Sequence, residues 1–265
     1  MTTPPVIDTS VAHPARRYDY WLGGKDNFAA DRESGDQIAA KFPGIRTAVV
    51  ENRRFLHRAV THLTTQAGVR QFLDIGTGLP TVDNTHEVAQ RTAPESRIVY
   101  VDNDPLVLVH ARALLTSSPQ GATAYVDADL RDPATILEQA AKTLDLSQPV
   151  ALMLLAILHF IPESDDPYAV LRTLTAALPP GSYVVLSHAT SDYLPPDLVA
   201  DISSGRHGQG RLRTKSEFAS FFDGLDLLTP GVVPLAEWHA EGEPVPRPAA
   251  DEVAMYAGVA AIPSR

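Results

Sequence analysis

A glycine-containing turn is the first feature of this sequence that could serve chemistry. It lies in the stretch LDIGTG at residues 73–78, after an apolar run and before a predicted helix. Glycines let the backbone pass close to a ligand, so that amides and the helix N-terminus can bind it. Asp102 ends the next predicted strand, at about the 20-residue spacing expected for a carboxylate that accepts hydrogen bonds from ribose hydroxyls. This spacing predicts a nucleotide site.

A third acidic residue, Asp129, closes the third predicted strand. A carboxylate at this position can accept a hydrogen bond from the exocyclic amine of adenine. Taken alone, Asp129 is as well explained as a cap of the helix that begins near Pro133. Because Gly76, Gly78 and Asp102 end neighbouring strands on the same rim, we favour the interpretation as a ligand contact.

The elements that must position these residues alternate regularly between strands and helices. Five short apolar strands are predicted at 69–75, 97–101, 122–126, 149–155 and 183–187. Helices are predicted between them at 84–91, 105–116, 133–144 and 166–178. Two later strand-like runs, 226–238 and 253–262, have no helix between them and predict an antiparallel hairpin. The predicted fold is a three-layer, doubly wound α/β sheet of the Rossmann type, with seven strands and helices on both faces.

Three parts of the chain are distinguished by composition. Residues 1–14 carry three prolines and predict a flexible lead-in, and residues 15–67 predict a helical cap whose second half, 45–66, has helical apolar spacing. Residues 68–265 contain the predicted sheet. Leu194 to Phe222 is predicted to be helical, with a glycine-rich interruption at 203–210.

Composition excludes several classes of function. The formal net charge of −10 disfavours nucleic acid as a partner, because a negative surface repels phosphate backbones. The chain has no cysteine, which excludes disulfides, thiolate zinc sites and cysteine nucleophiles, and no metal site is predicted. No apolar signal segment is visible, and the longest apolar run, 150–158, is half of what a membrane helix needs. We expect a soluble, cytoplasmic protein that binds no membrane.

The combined motifs resemble the class I S-adenosylmethionine-dependent methyltransferases. More narrowly, four stretches resemble a bacterial S-adenosyl methyltransferase family formerly classed as a domain of unknown function: ARRYDYWLGGKDNFAADRE at 15–33, QFLDIGTGLPT at 71–81, VDNDPLVLVHARALL at 101–115 and LLAILHFIP at 154–162. The resemblance extends from about residue 15 to residue 262. It implies the methyltransferase fold and S-adenosyl-L-methionine as cofactor, without a settled methyl acceptor.

The resemblance also implies which residues bind the cofactor. Asp74 would order water near the methionine amino group, Asp102 would bind the ribose, and the carbonyl of Ala156 would receive the methionine ammonium. The full set implied on the strand ends is Asp74, Gly76, Thr77, Gly78, Asp102, Asn103, Asp129, Leu130 and Ala156. One departure is Pro80, which replaces the usual third glycine and removes a backbone donor.

Methyl transfer requires mainly alignment and exclusion of water, and it needs a general base only if the nucleophile arrives protonated. The candidate bases are His159, after the fourth strand, and His188, at the end of the fifth. Each is also explained as a histidine packed near the sheet edge. The sequence lacks the Asn/Asp-Pro-Pro-Tyr string of amino-methylating enzymes, which weakens a function as a DNA adenine or glutamine methylase.

Two further segments remain open to interpretation. The aromatic segment 18–28 either closes over the cofactor as a lid or covers one edge of the sheet. Tyr20, Asn27 and Arg53 are predicted to contact the methionine carboxylate or the substrate. A late basic cluster either lies in solvent or holds an acidic substrate; it consists of Arg206, Arg211, Arg213 and Lys215.

The sequence favours a methyltransferase acting on a small molecule, and two alternatives remain. A nicotinamide-dependent oxidoreductase is disfavoured because Thr81 occupies the position of the last glycine of the dinucleotide fingerprint. A regulatory protein that binds the cofactor without turnover is compatible with the lack of a consensus base. The oligomeric state is left open.

Overall fold

The computed structural model describes residues 7–114, 116–205 and 210–264. A sheet of eight strands forms its centre, in the order β3-β2-β1-β4-β5-β8-β6, with β7 also paired to β8. The strands are β1 Gln71–Ile75, β2 Arg97–Asp102, β3 Ala122–Asp127, β4 Ala151–Leu155, β5 Tyr183–Ala189, β6 Asp226–Leu227, β7 Val233–Pro234 and β8 Met255–Ala261. Strands β1 to β5 are parallel, and β8 runs antiparallel to β5, β6 and β7. The predicted α/β fold with antiparallel C-terminal strands is confirmed.

The strand count differs from the prediction in one place. The run 226–238 forms two strands of two residues each, followed by a short 3-10 helix at Leu235–Glu237. A turn separates the two strands, in which the amide of Gly231 donates to the carbonyl of Leu228 at 2.7 Å. Turn residues inside a strand-like apolar pattern therefore divide it.

Helices cover both faces of the sheet. They are α1 Pro14–Trp21, α2 Ala29–Lys41, α3 Ile45–Thr65, α4 Thr85–Thr92, α5 Pro105–Leu114, α6 Pro133–Ala140, α7 Pro167–Ala176, α8 Pro196–Ser203, α9 Lys215–Ala219 and α10 Ala250–Val253. Strand side chains alternate between two buried clusters: Phe72 packs with α3 and α4, whereas Leu73 packs with α6 and α7. Both faces of β1 are buried, as expected for a central parallel strand.

The N-terminal segment is more ordered than predicted. Residues 14–21 form α1, and its buried face contains Arg16, Arg17 and Asp19. Hydrophobic periodicity does not detect a helix whose buried side chains are charged. Before α1, Ile7 packs against a cluster on α5, and the carbonyl of Asp8 accepts a 2.7 Å hydrogen bond from Arg16 Nη1. Residues 7 and 8 of the predicted lead-in therefore contact α5 and α1, and residues 1–6 lie outside the described part.

The late segment is less helical than predicted. Of the run 194–222, α8 and α9 are helical, and a 3-10 turn at Ser220–Phe222 follows α9. Within the described ranges, no helix is long and apolar enough to cross a membrane.

Candidate active site

A cavity of about 330 Å³ lies at the C-terminal ends of β1 to β5. Residues that follow each of these strands line it, and α1, α2, α3 and α8 contribute its remaining walls. Open α/β sheets bind their ligands at this edge. Every residue predicted on the strand-end rim lines the cavity: Asp74, Gly76, Thr77, Gly78, Asp102, Asn103, Asp129, Leu130 and Ala156.

The glycine turn leaves no room for a side chain at its first position. Gly76 has a φ of +74°, and a Cβ built on it would lie 2.7 Å from Cγ1 of Ile157. Gly78 has a φ of +69°, and its amide donates to Asp102 Oδ2 at 2.9 Å. After the turn, Leu79 packs against Leu106 and Val107 of α5. The turn thus presents bare backbone to the cavity.

Asp102 is fixed at the rim by backbone amides. Besides the amide of Gly78 on Oδ2, Oδ1 accepts the amide of Asp104 at 2.9 Å. The residue is only 8% exposed, and this burial raises the pKa of its carboxyl although the two amides oppose the shift. Each carboxylate oxygen has a second lone pair, so Asp102 can accept further donors from a ligand.

Asp74 is the second buried carboxylate. Its Oδ2 accepts from Thr85 Oγ1 at 2.6 Å. Burial raises the pKa of Asp74 to about 6, although Thr85 and the nearby Arg53 oppose the shift. Arg53 lines the cavity and donates to the carbonyl of Asp83 at 2.9 Å, so the structure brings this predicted residue to the site.

Ala156 lies in a left-handed turn after β4, with a φ of +53°. Its amide donates to Ser187 Oγ at 2.9 Å, and Ser187 Oγ donates to Asn52 Oδ1 at 2.6 Å. Asn52 Nδ2 in turn donates to the hydroxyl of Tyr18 at 3.0 Å. This network joins the end of β4 to α3 and α1. Sequence reasoning missed Asn52 and Tyr18, although Asn52 interrupts the apolar face of α3, which was a usable signal.

The third carboxylate, Asp129, is held by a neighbour that the sequence analysis missed. Arg131 donates to Asp129 Oδ1 from Nε and from its backbone amide, each at 2.9 Å. Asn103 Nδ2 donates to Asp129 Oδ2 at 3.2 Å. Arg131, first among these, lowers the pKa of Asp129 to about 2. Asp129 is therefore an anion on the part of the rim that follows β3, and Arg131 shares the cavity wall.

Tyr20 and Asn27 lie away from the cavity. The hydroxyl of Tyr20 donates to Asp36 Oδ1 at 2.7 Å, and Asn27 Nδ2 donates to Asp19 Oδ2 at 2.8 Å. Neither residue is among those that line the cavity. Within the aromatic segment, Tyr18 and Trp21 of α1 line it instead, so the residues that face the site lie on the helix rather than after it.

His188 is occupied at both ring nitrogens. Its Nδ1 lies 2.6 Å from the carbonyl of Ala189, which only accepts, so Nδ1 carries the proton. Its Nε2 lies 2.9 Å from Arg213 Nη1, which only donates, so Nε2 is an acceptor. Burial keeps the pKa of His188 well below its ordinary value. His188 therefore has no nitrogen left for a substrate proton, and it is not among the cavity-lining residues.

His159 does line the cavity. Its Nδ1 accepts from the amide of Ala189 at 3.5 Å, and its ring meets the ring of His188 edge-on with centroids 5.4 Å apart. Burial, followed by the charges of Arg213 and Arg17, lowers the pKa of His159 to about 3. The imidazole is therefore neutral at physiological pH.

The members of the late basic cluster have different surroundings. Arg213 is 0% exposed, donates to Glu163 Oε1 at 2.7 Å, and lies over the rings of Tyr168 and Phe221. The solvated-loop interpretation is wrong for this residue, because a buried guanidinium requires such partners. The other members differ: Arg211 lines the cavity and pairs with Glu163 and Glu217, Lys215 lies beside the ring of Tyr256, and Arg206 is outside the described residues.

Comparison with known proteins identifies the family of this chain. A family model described as S-adenosyl methyltransferase matches residues 1–263. The structure of a DUF574 family protein from Streptomyces avermitilis is 45% identical, with 97% of this chain and 100% of that chain covered and a TM-score of 0.91. The structure of a putative methyltransferase from Thermobifida fusca is 40% identical, with 98% of each chain covered and a TM-score of 0.89.

More distant structures share the fold alone. Magnesium protoporphyrin IX methyltransferase from Synechocystis, solved with bound SAH, is 12% identical over 92% of each chain, with a TM-score of 0.54. No match was found among curated proteins. The family match and the two similar bacterial structures show that this chain belongs to the S-adenosyl methyltransferase family, whose cofactor is S-adenosyl-L-methionine.

Proposed function

We propose that this protein transfers the methyl group of S-adenosyl-L-methionine to a small-molecule acceptor. The observation that carries the proposal is the rim itself: a bare glycine turn and three carboxylates face one recessed cavity. The walls from α1, α2 and α8 leave a space suited to a small molecule, and the net charge of −10 disfavours a nucleic acid. Residues 15–67 then act as a cap over the methyltransferase domain, 68–265.

The residues present fit the cofactor. Ribose hydroxyls, the adenine amine and the methionine ammonium are all donors, and the rim supplies acceptors for each of them. Asp102 would bind the ribose, and Asp129 with Leu130 and Asn103 would hold adenine. Asp74 and the carbonyl of Ala156 would receive the ammonium. Arg53, beside Asp74, would pair with the methionine carboxylate. Tyr20 and Asn27 are left out of this set because they do not line the cavity.

When bound, S-adenosyl-L-methionine supplies an electrophilic methyl group on a positively charged sulfur. The protein's contribution is alignment: the turn at Gly76 and the loop at Ala156 fix the positions of backbone groups on two adjacent strands. Apolar side chains above the rim, including Trp21 and Leu198, exclude water from the cavity.

Titration calorimetry with S-adenosylhomocysteine tests the assignment of the rim. Asp102→Ala should weaken binding by about 1–3 kcal/mol, or roughly 5- to 150-fold, because a buried charged acceptor is lost. Asp127→Ala is the matched control, since Asp127 pairs in register with Asp102 but is exposed and does not line the cavity. Unchanged affinity in Asp102→Ala would show that the ribose carboxylate is misassigned.

The same titrations separate the alternatives. Binding of NAD in place of S-adenosylhomocysteine would favour the oxidoreductase. A cofactor-binding protein without turnover would bind S-adenosylhomocysteine normally and consume no S-adenosyl-L-methionine with any acceptor.

A further inference from the structure

We propose that the methyl acceptor is an apolar small molecule with a carboxylate, which is methylated on a carboxylate oxygen without a general base. Arg17 and the Nε2–H of His159 would bind the anion. This inference rests on the proposed function and names the class of its acceptor.

The first support is the distribution of charge around the cavity. Among the described residues, the carboxylates that line it are Asp74, Asp102 and Asp129, which end β1, β2 and β3 or follow them directly. The lining residues contributed by α1, by the loop after β4 from Ile157 onward, by α8 and by residues 210–212 include no carboxylate within the described part. They do include Arg17, which is 4% exposed. The two sides therefore suit ligands of opposite charge.

Arg17 keeps its charge in this position. Burial lowers its pKa to about 10, and the nearby Asp31 opposes the shift. Its Nη1 donates to Ser34 Oγ at 3.3 Å. A buried guanidinium on an apolar wall is a strong site for a carboxylate, because charge-assisted hydrogen bonds gain strength where water is excluded.

The tautomer of His159 supplies the second support. Its Nδ1 accepts the amide of Ala189, so in the neutral ring the proton resides on Nε2. No described residue hydrogen-bonds to Nε2, and the ring lines the cavity. The imidazole thus offers the cavity a donor rather than a base. Arg213 acts as a positioning residue. It donates to Nε2 of His188, so Nδ1 of His188 carries the proton and donates to the carbonyl of Ala189.

A site with a donor and no base selects among nucleophiles. A phenol or alcohol must lose a proton before or during attack, and His159 has no free acceptor for it. A carboxylate is already ionised at neutral pH. Its oxygen forms the new bond to the methyl carbon while the carbon–sulfur bond breaks and its electron pair remains on sulfur. The products are a neutral methyl ester and a neutral thioether, and no proton moves.

The apolar side chains that line the cavity indicate the chemistry of the acceptor beyond its carboxylate. The apolar residues that line the cavity include Trp21, Phe42, Phe160, Leu198 and Ile202, and the ring of Phe160 meets that of His159 edge-on. Apolar and aromatic side chains leave a sugar or a polyol without partners for its hydroxyls. An aromatic or aliphatic acid can pack against the apolar side chains and pair its carboxylate with Arg17.

Binding of probe anions tests this inference directly. Fluorescence or calorimetric titrations would add 2-naphthoate or octanoate to the protein saturated with S-adenosylhomocysteine, and compare them with 2-naphthalenemethanol and 1-octanol. At least one carboxylate should bind about tenfold or more tightly than the alcohol of the same framework, or about 1.4 kcal/mol. Equal affinity for the alcohol, or no measurable binding of either carboxylate, would overturn the inference. Normal binding of S-adenosylhomocysteine in the same sample would leave the proposed function intact.

Variants identify the groups responsible. Arg17→Gln should reduce the preference for carboxylate to less than about threefold while S-adenosylhomocysteine binds as before, which also reports that the variant is folded. Arg172→Gln, on the exposed surface of α7, is the matched loss of one guanidinium and should change neither affinity. If Arg17→Gln weakens S-adenosylhomocysteine as much as it weakens the carboxylate, Arg17 serves the cofactor and the inference fails.

The protonation state of the His159 ring can be measured by NMR spectroscopy. Nitrogen-15 NMR of the labelled protein, with the His159 signals assigned by their loss in His159→Gln, should show a protonated Nε2 and an unprotonated Nδ1 at neutral pH. An imidazolium, or a proton on Nδ1, would contradict the donor role. His159→Gln keeps a donor and should retain most of the preference for carboxylate, whereas His159→Phe should lose it.

Discussion

The two sides of the cavity are built in opposite ways. On the side where the strands end, the carboxylates are fixed by backbone amides or by the side chain of a residue that follows the same strand, as Asp102 is by the amides of Gly78 and Asp104. On the other side, the charged and polar groups are fixed by side chains from other elements, as Arg17 of α1 is by Ser34 of α2. Backbone supports are rigid and local, whereas side-chain supports depend on packing between elements. Substitutions on the first side should therefore act locally, whereas those on the second should also disturb the more distant elements that support them.

The largest expected effect is at the glycine turn. Gly76→Ala places a Cβ about 2.7 Å from Ile157 in a left-handed conformation, so the turn must move away from the cofactor. We expect the affinity for S-adenosylhomocysteine to fall at least about thirtyfold by calorimetry, or about 2 kcal/mol.

Gly181→Ala is its control, because Gly181 has a φ of +80° with nothing nearer than 3.8 Å. It should lose stability without losing affinity. Unchanged affinity in Gly76→Ala would show that the turn does not touch the cofactor.

A smaller effect is expected from pH. The pKa of Asp74 is raised in the folded protein from 3.8 to about 6, so its carboxylate is protonated as the pH falls below that value. The affinity for S-adenosylhomocysteine should therefore fall about tenfold between pH 7 and pH 5, since the ammonium loses its anionic partner. The Asp74→Asn variant should bind S-adenosylhomocysteine weakly at both pH 7 and pH 5, with little change in affinity between them.

Loss of folding does not explain this expectation. Because the folded pKa of Asp74 lies above the unfolded one, the folded state binds more protons between about pH 4 and pH 6, and the contribution of Asp74 to stability grows as the pH falls. A parallel loss of affinity in the wild type and in Asp74→Asn would remove Asp74 from the cofactor site.

The smallest effect concerns the cap. Hydrogen exchange of the backbone amides of α1 should slow by a few-fold when S-adenosylhomocysteine is added, because Tyr18 and Trp21 line the cavity. Residues 22–28 should show little change, since Asn27 bonds to Asp19 and does not reach the cavity. Exchange that is independent of the cofactor throughout 14–28 would leave the segment as packing against the sheet edge.

The strand-end side of the cavity could be predicted from the sequence because its residues lie at the ends of consecutive strands. Apolar runs predicted β1 to β5. Because open α/β sheets bind ligands at the C-terminal ends of their strands, the residues that follow those runs were predicted to share one site. The other side could not be predicted in this way. Arg17, His159 and Leu198 lie far apart in sequence, and only packing brings them to one wall.

Two differences between prediction and structure have specific physical causes. Apolar spacing does not predict α1, because its buried face is charged and the buried partner of Arg16 is Asp104, in the loop before α5. The charge of the cluster formed by Arg206, Arg211, Arg213 and Lys215 suggests a solvated loop, but Arg213 is buried among aromatic rings and a carboxylate. Pairing between distant residues is not contained in a local pattern of charge.

The loop from Asp102 to Asp104 has a consequence for how the two ligands bind. Asp102 holds the glycine turn, while Asp104 holds Arg16 at 2.9 Å and His13 at 3.0 Å; these contacts together keep the pKa of Asp104 below its ordinary value despite burial. Two residues thus connect the cofactor rim to the start of α1, which carries Arg17. A ligand that orders either end reduces the cost of ordering the other, so we expect cofactor and acceptor to bind cooperatively. Because coupling between two sites is reciprocal, the acceptor should tighten the cofactor by the same factor.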